Sequence, residues 1–321
     1  MEEVSEEEPP GSTPLIRARN LEKSLRLKKF FIKFEGASQT GTQKDRISKL
    51  HMMRAIEKGY DTVCLATCGN YGASISYYAR ESGLRTVAAV PSFYSNGRTG
   101  EMVQNGADIL SVPMKYEEAV DYVRDLANDN AWYNCTPGSP NSDLDIYGYE
   151  KIAQEIVEQL GHAPKLISVP VGNGTTLSGI YSGFRRLKSG GLIDAIPRFI
   201  AASTAGGNPV IHSWKLGLRK LVNLHPSAIS ETHLNEPLVS YKALDGQKAL
   251  DSLYSTRGFG EYVTDDEMLS YTSIIEKTEG IKSLPASSSA LAAATRVLSR
   301  LGSNQECVIV ITGSGMVWTT Q

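Results

Sequence analysis

The chain is predicted to be an α/β protein built on a mostly parallel sheet with helices on both faces, because strand-like and helix-like segments alternate along nearly its whole length. Two observations carry this. Short apolar runs at 62–66, 166–171 and 307–312 read as strands, and stretches such as 148–160 place Ile152, Ile156 and Leu160 on one helical face. A third observation concerns function. The loops at 36–45, 67–72, 172–176 and 312–315 all leave predicted strand ends. Open α/β sheets bind ligands outside the carboxyl ends of their strands, so these loops are expected to converge on one crevice.

Taken in order, Pro14-Leu15 leads out of a turn into the first ordered segment, and 30–34 reads as a strand. A helix is expected to about Lys58, then the strand at 62–66 and a helix over 71–82. Strands at 85–90 and 108–112 flank a helix over 97–105, and a helix over 117–128 follows. Residues 131–147 are rich in Asn, Pro, Gly and Ser and read as a crossover between domains. Beyond it come a helix over 148–160, the strand at 166–171, a helix to about Lys188, and a strand at 198–203. Residues 223–260 give no clear pattern. Helices at 265–277 and 286–301 precede the last strand, 307–312.

Composition bounds the function. The 321 residues allow two domains or one large α/β unit, at roughly 150 residues per domain. A net charge of −2 offers no basic excess for nucleic acid or an anionic membrane. The one clear charge run, at 2–8, is acidic and reads as a solvated tail. It lacks an apolar signal-peptide core, and no apolar run is long enough to span a membrane. Four cysteines make no disulfide framework, and the spacing of Cys64 and Cys68 has no second pair to complete a zinc site. A reducing cytoplasm is therefore expected.

Four loops carry the chemistry. In Thr40-Gly41-Thr42-Gln43-Lys44-Asp45-Arg46, Lys44 sits where a strand–loop–helix turn opens a helix. The helix dipole and Arg46 are expected to favour its free amine, as a Schiff-base lysine requires. A solvated surface lysine is the plainer alternative. In Thr67-Cys68-Gly69-Asn70-Tyr71-Gly72, the glycines let backbone amides approach a ligand and Asn70 offers donor and acceptor; Asn70 also reads as a simple helix N-cap. Gly172-Asn173-Gly174-Thr175-Thr176 reads as a phosphate cradle or as a tight βα turn. It has neither a Walker lysine nor a dinucleotide fingerprint. In Thr312-Gly313-Ser314-Gly315, a hydroxyl could face a ring nitrogen, or the segment could be a plain terminal turn. An amine, a phosphate cradle, an amide and a hydroxyl together suit pyridoxal 5′-phosphate.

With these motifs in place, the chain resembles the fold type II (tryptophan synthase β-like) family of pyridoxal-phosphate enzymes, and within it the threonine synthases. The likeness runs from Gly11-Ser12-Thr13-Pro14-Leu15 to the Thr-Gly-x-Gly end, through Glu279-Gly280-Ile281 and Pro285-Ala286-Ser287-Ser288-Ser289-Ala290. It implies two open, mostly parallel twisted sheets. The large phosphate-binding domain would comprise 1–35 and 146–321, and a smaller mobile domain 36–145. Lys44 would hold the cofactor as a Schiff base and act as acid and base. Asn70 would bond the ring hydroxyl, and Gly172, Asn173, Gly174, Thr175 and Thr176 the phosphate. Ser314 would contact the pyridine nitrogen; a neutral group there favours elimination and replacement over transamination. Thr67, Cys68, Gly69 and Tyr71 would grip the substrate carboxylate.

The reaction implied is γ-elimination of phosphate from O-phosphohomoserine and hydration to threonine, in a homodimer acting on a small amino acid. β-Replacement or β-elimination, as in cysteine or cysteate synthases or serine/threonine dehydratases, and a non-catalytic homologue are the alternatives. The chain departs from the threonine synthase pattern at Gln43, where an aromatic residue is usual, and at Thr42, where serine is. About ten residues precede Gly11, fewer than is usual. Segment 139–145 has no basic residue for a substrate phosphate, and Asp145 falls where a cation is expected. Arg98 or Lys49 are the cations that could compensate.

Overall fold

The structure is a computed structural model and describes residues 13–94 and 97–315. The acidic run at 2–8 and the Gly11-Ser12 turn lie outside the described residues. β1 (Leu15–Arg17), α1 (Arg19–Ser24) and β2 (Phe30–Phe34) open the chain. They are followed by α2 (Asp45–Glu57), β3 (Thr62–Ala66), α3 (Asn70–Glu81), β4 (Arg85–Pro91), α4 (Thr99–Gln104), β5 (Asp108–Val112), α5 (Tyr116–Asn130) and β6 (Tyr133–Asn134). Next come α6 (Asp143–Leu160), β7 (Leu166–Pro170), α7 (Thr175–Ser189), β8 (Arg198–Thr204) and α8 (Pro209–Lys215). The chain closes with α9 (Gly246–Ser255), β9 (Phe259–Val263), α10 (Asp265–Glu279), α11 (Pro285–Leu301) and β10 (Cys307–Ile311).

The strands form two sheets. The smaller, in the order β5-β4-β3-β6, is wholly parallel. The larger has the order β1-β2-β10-β7-β8-β9 and is parallel except for β1, which runs antiparallel to β2 at one edge. Strand β10 joins the two ends of the chain: Cys307 stands beside Phe30 on one side and Leu166 on the other. All five residues of β3, β7 and β10 are buried, which is why these strands appear in the sequence as unbroken apolar runs. Helix α11 covers the larger sheet with Ala290, Leu291, Ala293, Ala294 and Val297. Its small residues allow a close approach, and the Ser168 hydroxyl donates to the Ala290 carbonyl at 2.8 Å. Burying a side chain such as Leu291 stabilises the fold by about 1.5–3 kcal/mol.

Helix α6 begins at Asp143, five residues before the expected 148. Asp143 and Asp145 lie in its first turn, where negative charge favours the helix dipole. Segment 223–260 holds α9 and the start of β9. Among the described residues, no helix is long and apolar enough to cross a membrane.

Candidate active site

Lys44 caps the N-terminus of α2, in a loop stitched to the end of β10. Gln43 N–H donates to the Thr312 carbonyl at 3.0 Å, Ser314 N–H donates to the Gly41 carbonyl at 2.8 Å, and Thr42 bridges Gly313. The Thr42 hydroxyl accepts from Lys44 N–H at 2.9 Å. The side chain is half-buried in a cavity wall and is no solvated surface charge. Nζ lies 5.0 Å from the centroid of the Tyr71 ring and 6.0 Å from that of Tyr149. Burial pushes the amine below its ordinary pKa, against the opposing pull of Asp145, Cys68 and Asp245.

Arg46, expected to assist this shift, takes no part in it. Its guanidinium lies in a fully buried network, 2.6 Å from Glu35 and 2.7 Å from Glu155, and Lys33 bonds Glu155 at 2.6 Å. These two cations and two anions fasten α2 to β2 and α6 beneath the lysine loop.

The second loop enters α3. Gly69 is the helix cap and Asn70 the first helical residue, so the cap predicted at Asn70 falls one residue earlier. The Thr67 hydroxyl accepts from Gly69 N–H at 3.1 Å and Gly72 N–H at 2.9 Å, which holds the turn closed. A Cβ at Gly72 would come within 2.7 Å of Thr67, so only glycine permits this packing. Tyr71 turns its hydroxyl to the Cys135 carbonyl at 2.8 Å and lays its ring under Lys44. Arg98, at 2% exposure, donates to Asn70 Oδ1 at 3.1 Å and to the Thr40 carbonyl at 2.9 Å, and pairs with Glu101. Arg98 lines the cavity and Lys49 does not.

The third loop enters α7. Its cap, Gly174, has φ +90°, a left-handed conformation that favours glycine. No side chain caps α7, and residues 172–176 line the cavity, so its free N–H groups and positive dipole end open onto it. The Thr175 hydroxyl donates to Asp245 at 2.8 Å, which leaves Thr176 as the threonine hydroxyl of the cradle. The Asn173 carbonyl accepts from Asp245 N–H at 3.0 Å.

At the fourth loop, the hydroxyls in the cavity wall are those of Thr312 and Ser287, 2.8 Å apart. Ser314 is buried beside this wall and is not one of the lining residues. Asp145 is also absent from the wall. It lies fully buried, with Oδ1 2.8 Å from His51 Nε2, while His51 Nδ1 is 3.1 Å from the Tyr133 hydroxyl. Sequence reasoning missed His51, which is 94 positions away, and assigned the fourth-loop hydroxyl to Ser314 where Thr312 and Ser287 line the cavity.

The four predicted loops thus meet in one cavity, through Lys44, Thr67–Tyr71, 172–176 and Thr312. An amine of lowered basicity on one side and an uncapped helix N-terminus on another fit an aldehyde that carries a phosphate. The profile of a family described as pyridoxal-phosphate dependent enzyme matches residues 7–313. Threonine synthase from Methanocaldococcus jannaschii is 31% identical over 95% of this chain and 75% of its own length. Threonine synthase from Methanosarcina acetivorans is 29% identical over 94% and 74%. Among solved structures, maize serine racemase superposes with a TM-score of 0.78 at 18% identity, covering 96% of this chain and 91% of that one. A fungal L-serine ammonia-lyase from Rhizomucor miehei gives 0.77 at 21%, over 94% and 93%. The chain belongs to the family of pyridoxal-phosphate dependent enzymes, and its cofactor is pyridoxal 5′-phosphate.

Proposed function

We propose that the chain is an amino-acid elimination enzyme of the threonine synthase type, removing phosphate from the γ-carbon of O-phosphohomoserine and adding water to give threonine. The observation that carries this reading is the single cavity shared by Lys44, the uncapped end of α7 and the Thr67–Tyr71 loop. The named relatives support the choice of reaction. When bound, pyridoxal phosphate supplies an electron sink for charge developing at the substrate α-carbon.

The protein's own groups do the rest. Lys44 Nζ holds the cofactor and moves protons at the substrate carbons. Because Arg98 occupies Asn70 Oδ1, the Asn70 amide N–H group is the one offered to the ring hydroxyl. Backbone N–H groups of 172–176 and the Thr176 hydroxyl take the phosphate. The substrate carboxylate is taken by the remaining N–H groups of the 67–71 loop, because Thr67 N–H donates to the Ala89 carbonyl and Gly69 N–H to the Thr67 hydroxyl. Thr312, 2.8 Å from Ser287 in the cavity wall, supplies the neutral hydroxyl at the pyridine nitrogen in place of Ser314, which does not line the cavity. Residues 36–145 move as the smaller domain, and closure excludes water. The protein works as a cytoplasmic homodimer; its four cysteines are free thiols, which suits a reducing compartment.

One observation favours β-elimination or β-replacement on a serine-type substrate. The charged residues of the cavity wall are Lys44, Arg98 and Glu236, and Arg98 is already engaged by Glu101 and Asn70. Glu117 and Glu231 add negative charge close enough to push the Cys68 thiol up further, beyond what burial does. A dianionic side-chain phosphate is poorly matched to such a wall.

An absorbance spectrum with candidate substrates tests both readings. A visible band that disappears in Lys44→Ala is expected. Release of threonine from O-phosphohomoserine supports the first reading. Turnover only of O-phosphoserine, O-acetylserine or serine replaces it with the second. A band without turnover of any of these marks a non-catalytic homologue, and no band after reconstitution sinks the site assignment itself.

A further inference from the structure

Beneath the cavity floor lies a polar cluster that the reaction above does not use. Asp145 is fully buried in the first turn of α6, and only one of its carboxylate oxygens is satisfied. Oδ1 accepts from His51 Nε2 at 2.8 Å; Oδ2 has no hydrogen-bond partner. An unpaired carboxylate oxygen in a protein interior is costly, so its retention calls for a partner that arrives at some stage of the work.

The His51 Nδ1 faces the Tyr133 hydroxyl at 3.1 Å, so both ring nitrogens are occupied and neither reaches Asp145 Oδ2. The nearby arginine of this region, Arg54, is paired with Asp143 at 2.7 Å.

The geometry points to Lys44. Tyr149 follows Asp145 by one turn on the same face of α6, and its ring lies 6.0 Å from Lys44 Nζ. Tyr71 closes the cluster from the other side, with its ring 5.0 Å from Nζ and 6.4 Å from the His51 ring. We propose that Asp145, clamped by His51, is the buried counter-ion of the Lys44 amine: a positioning residue that holds Nζ and its proton at the cavity floor whenever the lysine is free of the cofactor. The other charged or titratable groups facing Nζ are Cys68, which burial keeps as a neutral thiol, and Asp245, which is held by Lys248 at 2.9 Å and by Thr175. Asp145 is also the group that most strongly counters the effect of burial on the amine. The proposal rests on Lys44 being the cofactor lysine. It explains why an acid stands at the position where a cation for a substrate phosphate was expected.

The test uses the full chain stripped of cofactor. Competitive acetylation across a range of pH, read at Lys44 by peptide mass spectrometry, gives the basicity of its amine without any turnover. A buried opposite charge that acts on the amine favours its charged form by about one pKa unit or more, so Asp145→Asn is expected to make Lys44 about tenfold more reactive at neutral pH. His51→Gln, which keeps a donor to Oδ1 and leaves the carboxylate in place, is expected to stay within about threefold of the unsubstituted chain on the same scale. Should Asp145→Asn not fold, the combination His51→Leu, Tyr133→Phe and Asp145→Leu removes the whole polar set at little cost in stability and is expected to give the same tenfold gain. An unchanged reactivity profile in the folded variant overturns the proposal. The site assignment fails separately, on the absence of a Lys44-dependent visible band.

Discussion

Arg46 stands two residues from Lys44, yet its guanidinium turns away from the cavity and into the network of Glu35, Glu155 and Lys33. This contact could not be read from the sequence, because Glu155 is 109 positions away and the network forms only when α2 packs on α6. Arg98 and the His51–Asp145 pair were hidden for the same reason: their partners come from distant elements. Lys44, Asn70 and the 172–176 loop could be read because each stands in a glycine-marked turn where a helix begins, a feature written locally in the chain. Arg46→Met leaves two buried carboxylates short of a cation and is expected to cost about 3–5 kcal/mol, measured by urea unfolding. The network also sets a pH response. Burial pushes the Glu155 carboxyl up, but Arg46 and Lys33 outweigh this and hold it below its ordinary value. Its contribution is present above the ordinary carboxylate pKa and is lost as pH falls through the depressed one. Unfolding curves taken on the acid side should therefore show the cost of Arg46→Met shrinking as pH falls.

Among the elements, α7 joins what the sequence showed to what it concealed. Its glycine-rich entry was plain, while α9 behind it lies in the segment that gave no pattern. The reason is physical. α9 is short, and the loops before it are held by distant backbone groups, as when Asp245 N–H meets the Asn173 carbonyl. Strands β3, β7 and β10 are the opposite case, since burial on both faces writes a continuous apolar run into the chain. Gly174 is where α7 and α9 meet: a Cβ there would lie 2.9 Å from that of Ala249 and 3.1 Å from the Asp245 carbonyl. Gly174→Ala combines this crowding with a left-handed φ, at an expected cost of about 1–3 kcal/mol. The displaced amides should weaken cofactor binding by about tenfold or more, read by titrating the visible band with pyridoxal phosphate.

At the scale of the whole molecule, the two sheets are joined differently on opposite sides of the cavity. Below it the contact is apolar: Ile47, Met52 and Ile75 share one core with Ile152, Ile156, Ile180 and Phe184. At the mouth it is polar and made of few bonds. Glu117, in the first turn of α5, accepts from the Ser240 hydroxyl at 2.9 Å and from Tyr241 N–H at 3.1 Å. Tyr94 and Lys115 reach Glu231 at 3.0 and 3.2 Å. A few polar bonds open at lower free energy than a large packed apolar face, so movement of 36–145 would pivot on the core and part at the 231–241 segment. Glu117→Ala removes two of these bonds, each worth about 1 kcal/mol. Amide hydrogen exchange at 240–242 should accelerate by about tenfold or more, while β7 and β10 exchange as before. Unchanged exchange at 240–242 would show that Glu117 does not latch the mouth, and closure would then need another contact to hold it.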